Sequence, residues 1–208
     1  MNIAKYVDHT NLKPDAKVDD IKRLCREAKE NGFYSICVNP VNVVTAKSEL
    51  IGSEVKVAAV VGFPLGQNVP AIKAAEAAVC VSDGANEIDM VLNIGALKER
   101  RRNFVLEDIK GVVACGVPVK VIFETSLLSD EDIVYATDIA VEAGAAFIKT
   151  STGFLGEGAN EHVVALMVKA ADGRIKVKAS GGIRDLETAE RYVKLGAERI
   201  GASSLAKK

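Results

Sequence analysis

The chain has 208 residues, of which 49% are hydrophobic and 26% charged, with a formal net charge of -1. That is ample for one domain with a sizeable core, and it argues against a basic face for nucleic acid. No apolar stretch approaches a membrane span and the opening MNIAKYVDHT has no signal-peptide pattern, so a cytoplasmic protein with no membrane partner is expected.

In chain order, a short opening strand is predicted at Tyr6–Asp8. Ile21, Leu24, Cys25 and Ala28 then fall at i, i+3, i+4 and i+7, one face of a helix that closes at Gly32. Apolar, β-branched runs follow at Ser35–Val38, Val57–Val61, Glu87–Val91, Val119–Phe123, Ala146–Ile148, Ile175–Val177 and Glu198–Ile200, which with the first strand makes eight. The helical stretches between them end at Gly52, Gly84, Gly116, Gly144, Gly173 and Gly196, residues suited to the left-handed conformation of a helix end. Ser129 with Asp132 reads as a capping pair, and Asp185 as another N-cap. Strand–helix alternation demands a parallel sheet. Eight units predict a closed (β/α)8 barrel, a TIM barrel, formed by a single domain over 1–208 with a short N-terminal segment. An open doubly wound sheet is the alternative, but its GxGxxG fingerprint is absent.

Alternate side chains of a barrel strand face the lumen. With Ile88, Met90 and Leu92 packed outward on the helices, Asp89 turns inward. The same parity puts Lys149 inside against an outward Ile148, Lys178 inside against Val177 and Ala179, and Cys37 and Asn39 inside against Ile36 and Val38. Lys149 and Lys178 then lie at equivalent heights on adjacent strands, roughly 4.8 Å apart. Two ammonium groups that close repel, and the relief is a neutral amine able to attack a carbonyl. Asp89 can accept and return protons, so the trio suits imine chemistry better than hydrolysis. The turns Ser180–Asp185 and Ile200–Ser204 place glycines where backbone N–H groups can surround an anion, as the loops after strands seven and eight of barrels commonly do for phosphate.

The segments Val7-Asp8-His9-Thr10, Cys37-Val38-Asn39-Pro40, Val61–Gly66, Glu87–Val91, Lys149–Phe154, Lys178–Arg184 and Gly201–Ser204 together resemble the deoxyribose-phosphate aldolases, a class I, Schiff-base family, over nearly the whole chain. The resemblance implies reversible cleavage of 2-deoxy-D-ribose 5-phosphate to D-glyceraldehyde 3-phosphate and acetaldehyde. It implies Lys149 as the Schiff-base lysine, Lys178 as the neighbouring lysine that depresses its pKa, and Asp89 as proton donor and acceptor. Asp8 and Thr10 match positions at the first strand's mouth, with Asp8 orienting Lys178, and Cys37 matches a pocket cysteine exposed to attack by reactive aldehydes. Thr150, Gly153, Gly181, Gly182, Arg184, Gly201, Ser203 and Ser204 are implied to bind substrate. Phe154 stands where some members carry a phosphate-reaching lysine, which leaves phosphate to the glycine turns and Arg184. The sequence closes on Lys207-Lys208 without the terminal tyrosine of some members, so no tyrosine relay is expected.

The family implies no metal or cofactor, small phosphosugar and aldehyde partners, and a homodimer or homotetramer. Only His9 and His162 could supply imidazole, and Cys25, Cys37, Cys80 and Cys115 form no CxxC pair, which suits free thiols. His9 is expected on the face of its strand opposite Asp8, His162 on the surface, and Lys98–Arg102 in a solvated loop or helix start. Another Schiff-base phosphosugar lyase or isomerase is the alternative reading. A phosphosugar-binding barrel without chemistry is the other, and it has no need of Lys149, Lys178 and Asp89 together.

Overall fold

The computed structural model describes residues 2–206; Lys207 and Lys208, on which the expectation about a terminal tyrosine falls, lie outside the described residues. Eight parallel strands close into a barrel in sequence order, with the first pairing to the last. They are β1 (Val7–Asn11), β2 (Ser35–Val38), β3 (Lys56–Val61), β4 (Glu87–Val91), β5 (Val119–Ile122), β6 (Phe147–Lys149), β7 (Lys176–Ser180) and β8 (Arg199–Ala202).

The surrounding helices are α1 (Val18–Asn31), α2 (Val43–Glu49), α3 (Pro70–Ser82), α4 (Ile94–Lys98), α5 (Arg102–Val113), α6 (Asp130–Glu142), α7 (Glu161–Ala171) and α8 (Leu186–Lys194). The repeat is imperfect. Both α4 and α5 follow β4, and no helix follows β8 among the described residues. No described helix is long and apolar enough to cross a membrane.

Local chemistry sets these boundaries. The Ser129 hydroxyl accepts from the Asp132 amide while the Asp132 carboxylate accepts from the Ser129 amide, the reciprocal cap that opens α6. Asp185 caps α8 through the Thr188 amide at 2.7 Å. All seven glycines expected at helix ends adopt positive φ, from 64° at Gly32 to 111° at Gly84 and Gly196.

The apolar residues divide into an outer and an inner set, as strand parity requires. Ile36, Val38, Ile88, Met90, Leu92, Ile148, Val177 and Ala179 belong to the large cluster between barrel and helices. Cys37 sits in a separate small cluster with Leu12, Ala58 and Val60 inside the lumen. Four strands run further at their carboxyl ends than their apolar runs suggest: β1 to Asn11, β6 to Lys149, β7 to Ser180 and β8 to Ala202. Those extra residues are polar or small, which hides them from hydrophobic periodicity, and they are the ones that frame the barrel mouth.

Ile88 is fully buried in the outer cluster. Ile88→Ala is expected to destabilise the fold by about 2–5 kcal/mol, read as a lower urea midpoint with an unchanged slope.

Candidate active site

Barrel lumens are usually filled by branched apolar side chains. Here the middle of the lumen is ionic. Asp8 of β1, Glu87 and Asp89 of β4, Lys120 of β5, Lys149 of β6, Lys178 of β7 and Arg199 of β8 are all buried and all point inward. Lys149 and Lys178 are direct register partners across β6 and β7, as are Asp89 and Lys120 across β4 and β5.

Asp89 is the hub. Its Oδ1 accepts from Lys120 Nζ at 2.8 Å, and its Oδ2 accepts from both Lys149 Nζ at 2.9 Å and Lys178 Nζ at 2.8 Å. Lys178 also donates to Asp8 Oδ2 at 2.5 Å, while Asp8 Oδ1 accepts from Ser35 Oγ at 2.7 Å and from Arg199 at 2.8 Å. Glu87 closes the other side, 2.6 Å from Lys120 Nζ and 3.2 Å from Arg199. The Arg199 guanidinium in turn lies 3.5 Å over the Tyr34 ring.

The protonation states follow from these neighbours. Burial alone would raise the Asp89 carboxyl, but Lys120, Lys149 and Lys178 outweigh it and hold it well below the usual carboxylate range. The same contest, decided by Lys178, Lys120 and Arg199, keeps Asp8 ionised. Burial disfavours a charged Lys178, yet Asp8 and Asp89 overcome that and hold it above the ordinary lysine range. Lys178 is thus a fixed cation beside Lys149. Cys37 differs: burial, helped by Asp89, pushes its thiol up to about 11, so it rests as a neutral thiol.

Above this cluster opens a cavity of about 500 Å³ at the carboxyl ends of the strands. Lys149 lies on its wall, whereas Asp89 and Lys178 lie beneath it. Thr10, Gly153, Gly181, Gly182, Arg184, Gly201 and Ser203 line the cavity as the sequence suggests. Gly181 and Gly182 hold φ of 89° and 75°, and Arg184 is exposed with no ion pair among the described residues. Gly201 faces inward: a Cβ there would come within 2.8 Å of Ser180 Cβ and 3.1 Å of Lys178 Cε, so its bareness makes room for the lysine.

Other candidates lie elsewhere. The Thr150 hydroxyl is buried against the Ser180 backbone, joining β6 to β7 away from the cavity, and Ser204 is exposed outside its lining. Phe154 meets Phe63 edge-on, ring centres 5.2 Å apart, at the cavity mouth. His9 turns out of the lumen to Glu27 of α1 at 2.7 Å. His162 is exposed beside Asp130, and Arg100 and Arg102 pair with Glu131, Asp132 and Glu142 on the surface.

The sequence matches the DeoC/LacD family aldolase profile over residues 2–207. The chain belongs to that aldolase family. It is 52% identical to the deoxyribose-phosphate aldolase of Macrococcus caseolyticus over 206 residues, 98% of this chain and 94% of that one. It is also 52% identical to the deoxyribose-phosphate aldolase of Methanothermobacter thermautotrophicus over 204 residues, 97% of this chain and 91% of that one. Among solved structures, the tetrameric deoxyribose phosphate aldolase of Aeropyrum pernix superimposes with a TM-score of 0.91 at 35% identity, covering 97% of this chain and 87% of that one.

Lys120, Glu87 and Arg199 are the lumen residues that reading the sequence passed over. The signal was present, because Val119-Lys120-Val121 repeats the apolar–lysine–apolar pattern of Val177-Lys178-Ala179. Parity alone would have placed Lys120 inside. Glu124 was also missed: fully buried two residues past β5, it accepts from the Thr152 amide and hydroxyl and so fixes the loop after β6.

Two outcomes follow from the charge arrangement. Lys149→Met leaves Asp89 paired by two lysines and is expected to change stability by under about 1 kcal/mol. Asp89→Asn strips three buried lysines of a shared partner and is expected to cost about 3–5 kcal/mol, both measured by urea unfolding. For Cys37, its burial and raised thiol predict no alkylation by iodoacetamide at pH 7.5 in the folded protein, while the partly exposed Cys115 reacts; peptide mass mapping separates the two.

Proposed function

We infer that this chain is a class I, deoxyribose-phosphate aldolase. It reversibly cleaves 2-deoxy-D-ribose 5-phosphate to acetaldehyde and D-glyceraldehyde 3-phosphate through a Schiff base on Lys149. The observation that carries the assignment of Lys149 is its amine, the one lysine of the lumen cluster that reaches the cavity, held by Asp89 beside the fixed cation of Lys178. Half-identical relatives of that activity support the substrate.

The steps follow from the arrangement. Neutral Lys149 adds to the C1 aldehyde carbon, and loss of one water leaves a protonated imine. That cation draws electrons from the C2–C3 bond, which breaks because the enamine formed has somewhere to place them. The C3 hydroxyl proton leaves toward Asp89 as its carbon becomes the aldehyde of glyceraldehyde 3-phosphate. Enamine formation removes the positive charge from the Lys149 nitrogen, one of three holding Asp89 ionised, so the carboxylate becomes a better base as it is needed. The same proton then goes to C2, and water hydrolyses the imine to release acetaldehyde. Lys178 keeps its charge throughout and acts as a positive wall against reprotonation of Lys149. The phosphate sits among Gly153, Gly181, Gly182 and Ser203, with Arg184 at the rim, which suits a chain with Phe154 in place of a lysine.

We place the protein in the cytoplasm as a homodimer or homotetramer. Four free cysteines suit a reducing compartment, and Val41 and Ile51, which flank α2 in sequence, stand 85% and 79% exposed, with Val44 of α2 exposed as well.

Borohydride reduction in the presence of acetaldehyde is expected to leave one two-carbon adduct, mapped by peptide mass spectrometry to Lys149. Lys149→Ala should give neither adduct nor turnover, and Asp89→Asn should lower kcat by about 10²–10⁴-fold. A folded protein that forms no adduct would end the aldolase reading.

A further inference from the structure

The mechanism above leaves Lys120 without a task, although it is completely buried and lies against the catalytic carboxylate. A lysine removed from water is costly unless its charge is matched, so an apolar residue would fill this space at lower cost. We propose that Lys120, balanced by Glu87, is a positioning residue for the aldol reaction. It holds Asp89 by Oδ1 so that Oδ2 faces Lys149 and Lys178, and it supplies the excess positive charge that is relieved when Lys149 gives up its proton. The inference rests on the Schiff-base reading of Lys149.

The geometry supports both parts. Asp89 has two oxygens and three lysines to share: Lys120 takes Oδ1 alone, 2.8 Å away, which leaves Oδ2 to the pair at the cavity floor. Lys120 reaches this position from β5, opposite Asp89 in register, and no other cation among the described residues contacts Oδ1. The charges around it come from every neighbouring strand. Glu87 and Asp89 face it from β4 at 2.6 and 2.8 Å, Asp8 from β1 at 4.0 Å, and the Phe147 ring of β6 lies 5.9 Å away. Lys178 of β7 acts on it through space, and Arg199 of β8 shares Glu87 with it. Lys149 itself faces Asp89, with Cys37 of β2 a neutral neighbour.

Counting decides the role. The cluster joins three carboxylates (Asp8, Glu87 and Asp89) to four cations (Lys120, Lys149, Lys178 and Arg199). Fully charged, it carries one positive charge too many in a buried site. Loss of a proton from Lys149, the one of the four lining the cavity, restores balance and produces the nucleophile in one step. Without Lys120 the count is already even with Lys149 protonated, and the drive to deprotonate disappears. Without the Glu87 charge the excess doubles and the drive grows.

The two substitutions therefore shift the reaction in opposite directions, which a merely structural role would not do. The experiment measures, on the full chain, the pH dependence of borohydride trapping of the acetaldehyde imine on Lys149, alongside kcat/KM for 2-deoxyribose 5-phosphate. Lys120→Met is expected to move the trapping midpoint up by about one pH unit or more, a tenfold loss at fixed pH below it. Glu87→Gln is expected to move it down, and the double variant to return it toward the unmodified value. Midpoints unmoved, or moved in the same direction with only the rate reduced, would overturn the proposal. Should Lys120→Met fail to fold by circular dichroism, Glu87→Gln decides: a downward shift supports the role, an unchanged or raised midpoint removes it. Failure of the unmodified protein to form an imine would instead strike the Schiff-base reading beneath it.

Discussion

Everything in the barrel's interior depends on the Asp89 carboxylate, whose two oxygens hold three lysines from three different strands. In a buried lumen such a group is tolerable only because its charge is matched on each side. That matching fixes the inward rotamers of Lys120, Lys149 and Lys178 as firmly as apolar packing fixes Ile88 on the other face. The cost of the arrangement is borne by the outer shell, where the large cluster of Ile, Val, Leu and Ala between strands and helices provides the apolar burial that the lumen does not.

Closure of the barrel is what brings the ionic residues together. Asp8 and Lys178 are separated by 170 positions in sequence, yet pairing of β1 with β8 and of β7 with β8 sets them side by side. Gly201 is the geometric condition for this on β8, because any larger side chain at that inward position would press on Lys178. The same strand supplies Arg199 two residues earlier, so one strand both vacates space near the cavity and anchors Asp8 deeper in the lumen.

The helix ends, the strand count and the facing of Asp89, Lys149 and Lys178 were legible because glycine at C-termini and two-residue parity are local rules. Legibility failed where function interrupts the apolar pattern. Strand β7 continues through Lys178, Ala179 and Ser180, and β8 through Gly201 and Ala202, where a hydrophobic run has already ended. Lys120 escaped for a different reason: it is followed by no glycine turn, so the cue that singled out Lys149 and Lys178 was absent even though the parity was the same. Glu87 and Arg199 sit at strand beginnings, where a charge reads as a solvated end until the barrel floor is seen to bury it. Thr150 shows the converse, a residue placed in the site by its motif whose hydroxyl serves the β6–β7 junction.

The cluster also divides its contacts unevenly among its cations. Asp8, Glu87 and Asp89 are matched in number by Lys120, Lys178 and Arg199, the members buried deepest or engaged twice. Lys149 is the addition to that balanced set, attached through Asp89 alone and placed where the lumen opens. It is the one cation of the four that touches a single carboxylate. Among the described residues of the cluster, Lys149 alone lines the cavity, so the network is reached from the barrel mouth through that amine.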